Sequence, residues 1–496
     1  PGHQREPHSL TASLSDSPIK AIGAVKLSAK LTYITYPRVE PKETSSLIYL
    51  IPGKMILLQP AIAAPLRVSC RRPPLNVVVA TFKKGSESFL SSLSDTPSPN
   101  RVINKFVTSS SKAVALDALS RLLSPDQVRH RGLSSLALPL YLKITEAAWF
   151  EWNPKLVAQL AALLDSRGLS SESETLIAEA VAKLRSDRDL SNFLGHLVEF
   201  HASHGSARGF DESYERLRRL VGGSRSAYVK RQGYKSMVKG LCDMGRPREA
   251  ESLLAVIEED KVGPTVFELR CVIYGYGRLG FLDEMERVFD SMAERKGLGS
   301  DAESFSLMLG CYGAHGAVTR VLVLVRRMKK MGVPLTMRTC NAVFDSCPTI
   351  TGLLGGEYPV EMGGLVEALG AEGDEAALVA ELAEGVLGLE GVMAWDESEG
   401  KLDLHGMHVG AAYVVMLEWM QELRRRFGRD GNGVVPAEIT VVSGLGNHSR
   451  VRGESPIRCL VREIVFRTGI PMRVDRDNKG CFIAKGKMIE EWIRRL

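Results

Sequence analysis

The chain has 496 residues, 44% hydrophobic and 25% charged, enough for two or more globular domains. No apolar run reaches the roughly 18–20 residues that a spanning helix needs, which argues against stable membrane insertion. Eight cysteines without a CxxC pair argue against a disulfide scaffold and a structural zinc site. The net charge of +6 hides its distribution. Residues 401–496 carry 17 Lys and Arg against 11 Asp and Glu, and residues 351–400 carry 12 acidic residues and no Lys or Arg. The remaining 350 residues hold 47 basic and 35 acidic groups. Two basic blocks flank an acidic one, and basic blocks point to a polyanionic partner because neutralised phosphates release counterions.

The chain opens at Pro1 and its first methionine is Met55, which competes with Pro1 as the true start. From Met55 to Gly85 it has Arg67, Arg71, Arg72, Lys83 and Lys84 but no acidic residue, and a serine-rich stretch follows. That composition is that of an organelle transit peptide. Residues 1–110 are therefore expected to be a largely disordered N-terminal region.

Residues 154–185 and 191–220 read as helical pairs with Gly168 and Gly205 near their turns, so 140–230 is expected to hold degenerate helical repeats. Residues 231–350 repeat openly. Gly240, Gly275 and Gly310 fall 35 residues apart, each preceded by an apolar pair: Met237-Val238, Val272-Ile273 and Leu307-Met308. A second set recurs at Leu253-Leu254, Val288-Phe289 and Val323-Leu324, and Pro264 and Pro334 mark unit ends. Each unit reads as helix, glycine turn at Gly245 or Gly280, and second helix. One such hairpin cannot bury its own apolar face, so the units must stack into a solenoid.

The period and the phrase YKSMVKGLCDMGRPREAESLLAVIEEDKVGPT resemble the pentatricopeptide repeat, with NAVFDSC as a truncated unit. The resemblance implies single-stranded RNA as partner, read about one base per repeat. The family's reading positions, the fifth and last of each unit, fall at Lys235 and Thr265, Arg270 and Ser300, and Phe305 and Leu335. Lys235 and Arg270 are expected to meet phosphates and Phe305 to stack on a base.

Residues 351–400, rich in Gly, Ala, Leu, Val and Glu, read as an acidic connector with one or two short helices: a solubilising linker first, a partner for a basic face second. From Lys401 the pattern alternates. LDLH (402–405) reads as a strand, 409–427 as an amphipathic helix, 438–446 as a strand and 455–468 as a helix. Two strands around an Asn478-Lys479-Gly480 turn and a closing helix complete a small two-layer α/β domain of βαβαββ-like order over 401–496.

Asp403 and His405, two apart at a strand end, are expected to project to one side, where a carboxylate orients an imidazole for proton transfer. In the loop SGLGNHSRVRG (443–453), Gly444 and Gly446 let backbone approach a phosphate, while Asn447, His448, Arg450 and Arg452 supply donors and charge. LDLH followed by Ser443-Gly444-Leu445-Gly446 resembles the LDxH and TGxG motifs of the small MutS-related (Smr) family, with Ser443 keeping the threonine's hydroxyl and expected, with Gly444 and Gly446, to contact nucleic acid. Leu445 stands where relatives often have a basic or aromatic residue.

Together the halves resemble the plant organellar proteins that join pentatricopeptide repeats to a terminal Smr domain. The resemblance implies an α-helical solenoid followed by a small α/β domain, in a plastid or, alternatively, a mitochondrion. It implies RNA cleavage in which Asp403 and His405 are catalytic and Arg450 and Arg452 offset phosphorane charge. A magnesium ion on Asp403 is an open option. The alternatives are a non-catalytic RNA-stabilising factor and, third, a DNA-nicking enzyme.

Overall fold

The computed structural model describes residues 85–93, 97–124, 128–294, 301–428, 433–446 and 455–495. The transit-peptide-like segment from Met55 lies outside them, apart from its last residue. Helix α1 (residues 85–93), α2 (Pro99–Ser109), α3 (Lys112–Leu123) and α4 (Ala137–Thr145) form a first group. Ordered structure thus begins before the boundary expected near residue 110. Phe89 stacks on Phe106 with ring centroids 3.6 Å apart, and Leu90, Leu93, Ile103 and Val107 are buried. Serine and proline content had outweighed an apolar stripe at helical spacing.

Five hairpins follow: α5 (Pro154–Ser166) with α6 (Ser170–Lys183), α7 (Asp187–His204) with α8 (Ala207–Gly223), α9 (Ala227–Asp243) with α10 (Pro247–Glu259), α11 (Val266–Arg278) with α12 (Leu282–Glu294), and α13 (Ala302–Ala314) with α14 (Val318–Lys330). Each turn holds a left-handed glycine, Gly168, Gly205, Gly245, Gly280 or Gly316, where a Cβ would be strained. Polar caps start the leading helices: Ser226, Thr265, Asp301 and, for α15 (Met337–Asp345), Thr336. The leading helices stack in sequence from α5 through α7, α9, α11 and α13 to α15, giving the expected solenoid.

Its period is not uniform. The caps Thr265 and Asp301 lie 36 residues apart, whereas Asp301 and Thr336 lie 35 apart. One added residue turns a helical position by about 100°.

The acidic segment is packed structure rather than a tether. It supplies α16 (Pro348–Leu353), which begins just before it, α17 (Met362–Leu369) and α18 (Asp374–Leu387). Helix α18 lies against α14, where Glu381 accepts from Arg326 Nε at 3.2 Å and Lys329 Nζ at 2.7 Å. Two cations of the last full hairpin are thereby held by one carboxylate of the acidic segment.

Strands β1 (Met393–Trp395), β2 (Glu399–Asp403), β3 (Glu438–Val442), β4 (Arg473–Val474) and β5 (Cys481–Lys485) form one sheet in the order β1-β2-β3-β5-β4. Only β2 and β3 run parallel, joined through α19 (Val409–Phe427); the other pairs are antiparallel. Helices α20 (Pro456–Thr468) and α21 (Gly486–Arg495) complete the α/β unit. The sheet gains β1, which lies before residue 401 and starts the unit inside the acidic segment. Helix α19, expected to be amphipathic, is buried at every position from Gly410 to Leu417. It packs on α20 and α21 as well as on α15, α17 and α18, so no face of that stretch is left for water.

Candidate active site and nucleic-acid surface

The last residue of β2 is Asp403, paired with Val442 of β3. Leu404, fully buried, continues the ladder by donating its N–H to Val442 O at 2.9 Å. Alternation places Asp403 and His405 on the side opposite Leu404. His405 Nδ1 lies 2.5 Å from Asp403 Oδ1, and the His405 N–H donates to the same oxygen at 3.0 Å. The Asp403 side chain is 13% exposed and that of His405 71%. The carboxylate therefore fixes the ring through Nδ1 and leaves Nε2 on the open side. Among the described residues no group of three His, Cys, Asp or Glu gathers as a metal site. Asp403 offers one carboxylate already engaged by His405, a donor set that suits only an ion keeping most of its waters.

The glycine loop runs beside this pair. Gly444 and Gly446 have φ of +74° and +73°, and a Cβ on Gly444 would lie 3.8 Å from His405 Cβ. Ser443 is 2% exposed; its Oγ donates to Gly480 O at 2.9 Å and its N–H to the same carbonyl at 2.8 Å. This corrects the expectation that Ser443 contacts nucleic acid: it pins the loop to the turn before β5. Ser455 Oγ, donating to Ser443 O at 3.0 Å, holds the other side. Gly480 sits beneath, where a Cβ would come within 3.1 Å of Gly444 C. Leu445 is 44% exposed at the loop tip. Asn447, His448, Arg450 and Arg452 lie outside the described residues.

The three repeat positions separate. Lys235 is exposed on α9, its Nζ 4.6 Å from the centre of the Phe267 ring. Arg270 does not face a ligand. Its guanidinium grips Asp301 at 2.5 and 2.6 Å, Glu303 at 2.5 Å and Ser304 Oγ at 3.0 Å, all from the next unit, leaving it 12% exposed. Phe305 is fully buried, edge-on to Phe289 with centroids 5.1 Å apart, so it does not stack on a base. The 36-residue unit explains the miss: counted from the helix cap, the counterpart of Arg270 is Ser306, and Phe305 has rotated inward. Thr265, expected at a unit's last reading position, instead caps α11 with Glu268 in a capping box.

One polar cluster went unread. Asn341 and Asp345 of α15 meet the loop after His405. Asn341 Nδ2 donates to Gly406 O at 3.0 Å, and Asn341 Oδ1 accepts from the His408 N–H at 2.8 Å. Asp345 Oδ2 lies 2.5 Å from His408 Nδ1, and this bond raises the imidazole above its ordinary pKa. The available signal was the pairing of a truncated repeat with a second histidine three residues past the first.

The family model for the PPR repeat matches residues 234–262, 270–296 and 303–333. An Arabidopsis thaliana pentatricopeptide repeat-containing protein is 48% identical over 419 residues, covering 83% of this chain and 82% of its own length. A chloroplastic pentatricopeptide repeat-containing protein of the same plant is 31% identical over 85 residues, 17% of this chain and 8% of its own. Among solved structures, the maize pentatricopeptide repeat protein PPR10 is similar at 16% identity and a TM-score of 0.37, over 71% of this chain and 51% of that one. The same maize protein in complex with an 18-nt psaJ RNA element gives a TM-score of 0.24 at 16% identity, over 62% and 50% of the two chains. The chain spans about half the length of these maize structures.

Proposed function

This chain belongs to the pentatricopeptide repeat family, and from that premise we propose that its helical stack binds single-stranded RNA while the α/β unit, an Smr-type domain, cleaves it. Three repeats at 231–350, with the upstream hairpins of 140–230 as degenerate units, hold the strand; residues 401–496 carry the chemistry. The observation behind this reading is the Asp403–His405 pair at the end of β2, flanked by the loop of Gly444 and Gly446.

In the proposed mechanism Asp403 keeps the His405 proton on Nδ1, so Nε2 presents a lone pair. Nε2 takes the proton of a ribose 2′-hydroxyl as O2′ attacks phosphorus, or of a water in its place. The P–O5′ bond then breaks and the leaving O5′ takes up the proton held on Nε2, directly or through water, with Arg450 and Arg452 offsetting charge on the phosphorane. A magnesium ion, if required, would be held by Asp403 and would supply positive charge at the phosphate. The transit-like composition around residues 55–85 assigns the work to an organelle, plastid before mitochondrion.

The test uses the full chain with end-labelled single-stranded RNA, with and without magnesium. Cleavage lost in both Asp403→Ala and His405→Ala supports the assignment, and cleavage indifferent to either defeats it. RNA binding without cleavage supports the second reading, a non-catalytic RNA-stabilising factor, which the exposed apolar Leu445 at the loop tip favours. Nicking confined to duplex DNA supports the third.

A further inference from the structure

The loop after His405 is held by the repeat array as well as by its own domain, where the Met407 N–H donates to Leu404 O at 3.1 Å. Leu404, on one side of His405, is buried and tied to β3. Gly406, on the other side, has φ +84° and gives its carbonyl to Asn341. The same Asn341 amide accepts the His408 N–H, so one side chain spans the loop from both ends. Its orientation is determined, since a flipped amide would set donor against donor and oxygen against oxygen. Asp345, one helical turn on, takes His408 Nδ1. Gly410, at the start of α19, lies so close to α15 that a Cβ there would be 3.3 Å from Phe344 O. Asn341 is also five residues past its cap Thr336, the place Arg270 holds after Thr265 and Ser306 after Asp301. Arg270 and Ser306 at that place reach side chains of the next unit, whereas in the truncated unit Asn341 reaches the histidine loop and is 7% exposed.

We propose that Asn341 and Asp345 are positioning residues that lock the histidine loop to the last repeat, so that array and α/β unit act as one ruler and cleavage falls at a fixed distance from the RNA held by the array. The ruler rests on the cleavage reading above; the clamp itself does not. With both ends of residues 404–406 anchored, His405 keeps only its own side-chain torsions. The scissile phosphate must then come to it at the offset the array sets. A freed loop lets His405 reach neighbouring phosphates.

The experiment compares the full-length parent with Asn341→Ala, Asp345→Ala and Asn341→Asp, the last keeping the acceptor for His408 N–H while losing the donor to Gly406 O. Amide hydrogen exchange over residues 404–409 is the first readout. The proposal expects exchange there to rise about tenfold in Asn341→Ala, less in Asn341→Asp, with peptides from α9–α13 unchanged. The pH profile of histidine C2–H exchange is the second: the His408 midpoint falls in Asp345→Ala. The third is the cut pattern: one major RNA product in the parent becomes a cluster in Asn341→Ala, with lower kcat and unchanged KM. Unaltered exchange at 404–409 in Asn341→Ala overturns the clamp. A loosened loop with an unaltered single cut overturns the ruler. A loosened loop with no cleavage even in the parent keeps the clamp and defeats the nuclease reading instead.

Discussion

Arg270 of one repeat closes on Asp301, the cap of the next, with the guanidinium Nη2 2.5 and 2.6 Å from the two carboxylate oxygens. The cap in turn accepts the Ser304 N–H at 2.9 Å, so one cation ties the start of α13 to the body of α11. An arginine so placed, 12% exposed with its charge facing two carboxylates, holds units together rather than meeting a phosphate. Arg270→Ala should lower the unfolding free energy by roughly 1.5–3 kcal/mol, measured by denaturant titration, and leave the salt dependence of RNA binding unchanged. Lys235→Ala should do the reverse, reducing the slope of log affinity against log salt by about 0.7. A slope that drops equally for both variants would restore Arg270 as a phosphate contact.

The repeat glycines are not equivalent. A Cβ on Gly240 would come within 2.6 Å of Val198 Cγ1 and 2.9 Å of Phe210, whereas one on Gly310 would meet nothing within 4 Å. Gly240→Ala should therefore cost about 1–3 kcal/mol through overpacking. Gly310→Ala should gain roughly 0.5–1 kcal/mol from helix propensity alone. Thermal melts of the two variants shifting in the same direction would contradict this.

Register makes its own prediction. Phe305→Ala empties a fully buried site and should cost about 3–5 kcal/mol. Ser306→Lys, at a half-buried place that stands, like Lys235, ten residues before its turn glycine, should strengthen RNA binding and steepen its salt slope by about 0.7. An unchanged slope would mean that this face does not meet the strand.

The upstream hairpins should be sensitive to acid. His201 is 1% exposed, neither ring nitrogen has a hydrogen-bond partner among the described residues, and Asp165 Oδ2 is 3.8 Å away. Burial, opposed by the Asp165 charge, holds the imidazole down at about 4. Burial also works to raise Asp165, but hydrogen bonds from Ser206, Arg208 and Ser170 outweigh it and bring the carboxyl to about 2. Both folded values lie below the unfolded ones, so the unfolded chain binds more protons in acid. The His201 contribution is complete above pH about 6.5 and is lost toward pH 4, roughly 3 kcal/mol in all; that of Asp165 goes as pH falls from about 4 toward 2. Unfolding midpoints from pH 7 to pH 4 should fall less steeply in His201→Leu than in the parent. Parallel curves would show that another group carries the effect.

Much of this architecture was legible in the sequence. The span 409–427 is legible because it is a long run of helix formers and apolar residues that ends at Gly428. The closeness of Asp403 and His405 follows from strand alternation and needs no tertiary knowledge. The third repeat shows where such reading fails. Gly310 and Leu307-Met308 fit a 35-residue count, yet the added residue lies between Gly280 and Asp301, as the 36-residue steps from cap Thr265 to Asp301 and from turn Gly280 to Gly316 show. Arg270 was misread because the acids it binds are 31 and 33 residues away. Asn341 and His408 are 67 residues apart, and no spacing rule joins them. Polar pairs formed by chain packing leave no periodic trace; apolar stripes do.

The seating of α18 on α14 bears on engineering. Glu381 occupies Arg326 and Lys329, and Leu335, at the seam after α14, lies 3.2 Å from where a Cβ of Gly385 would stand. A designer who appended hairpins after Asp345 would have to evict this acidic stopper and sever the histidine loop from its anchor. New units belong upstream, spliced between existing hairpins, so the helical stack can be lengthened from its far end while the α/β unit keeps its seat.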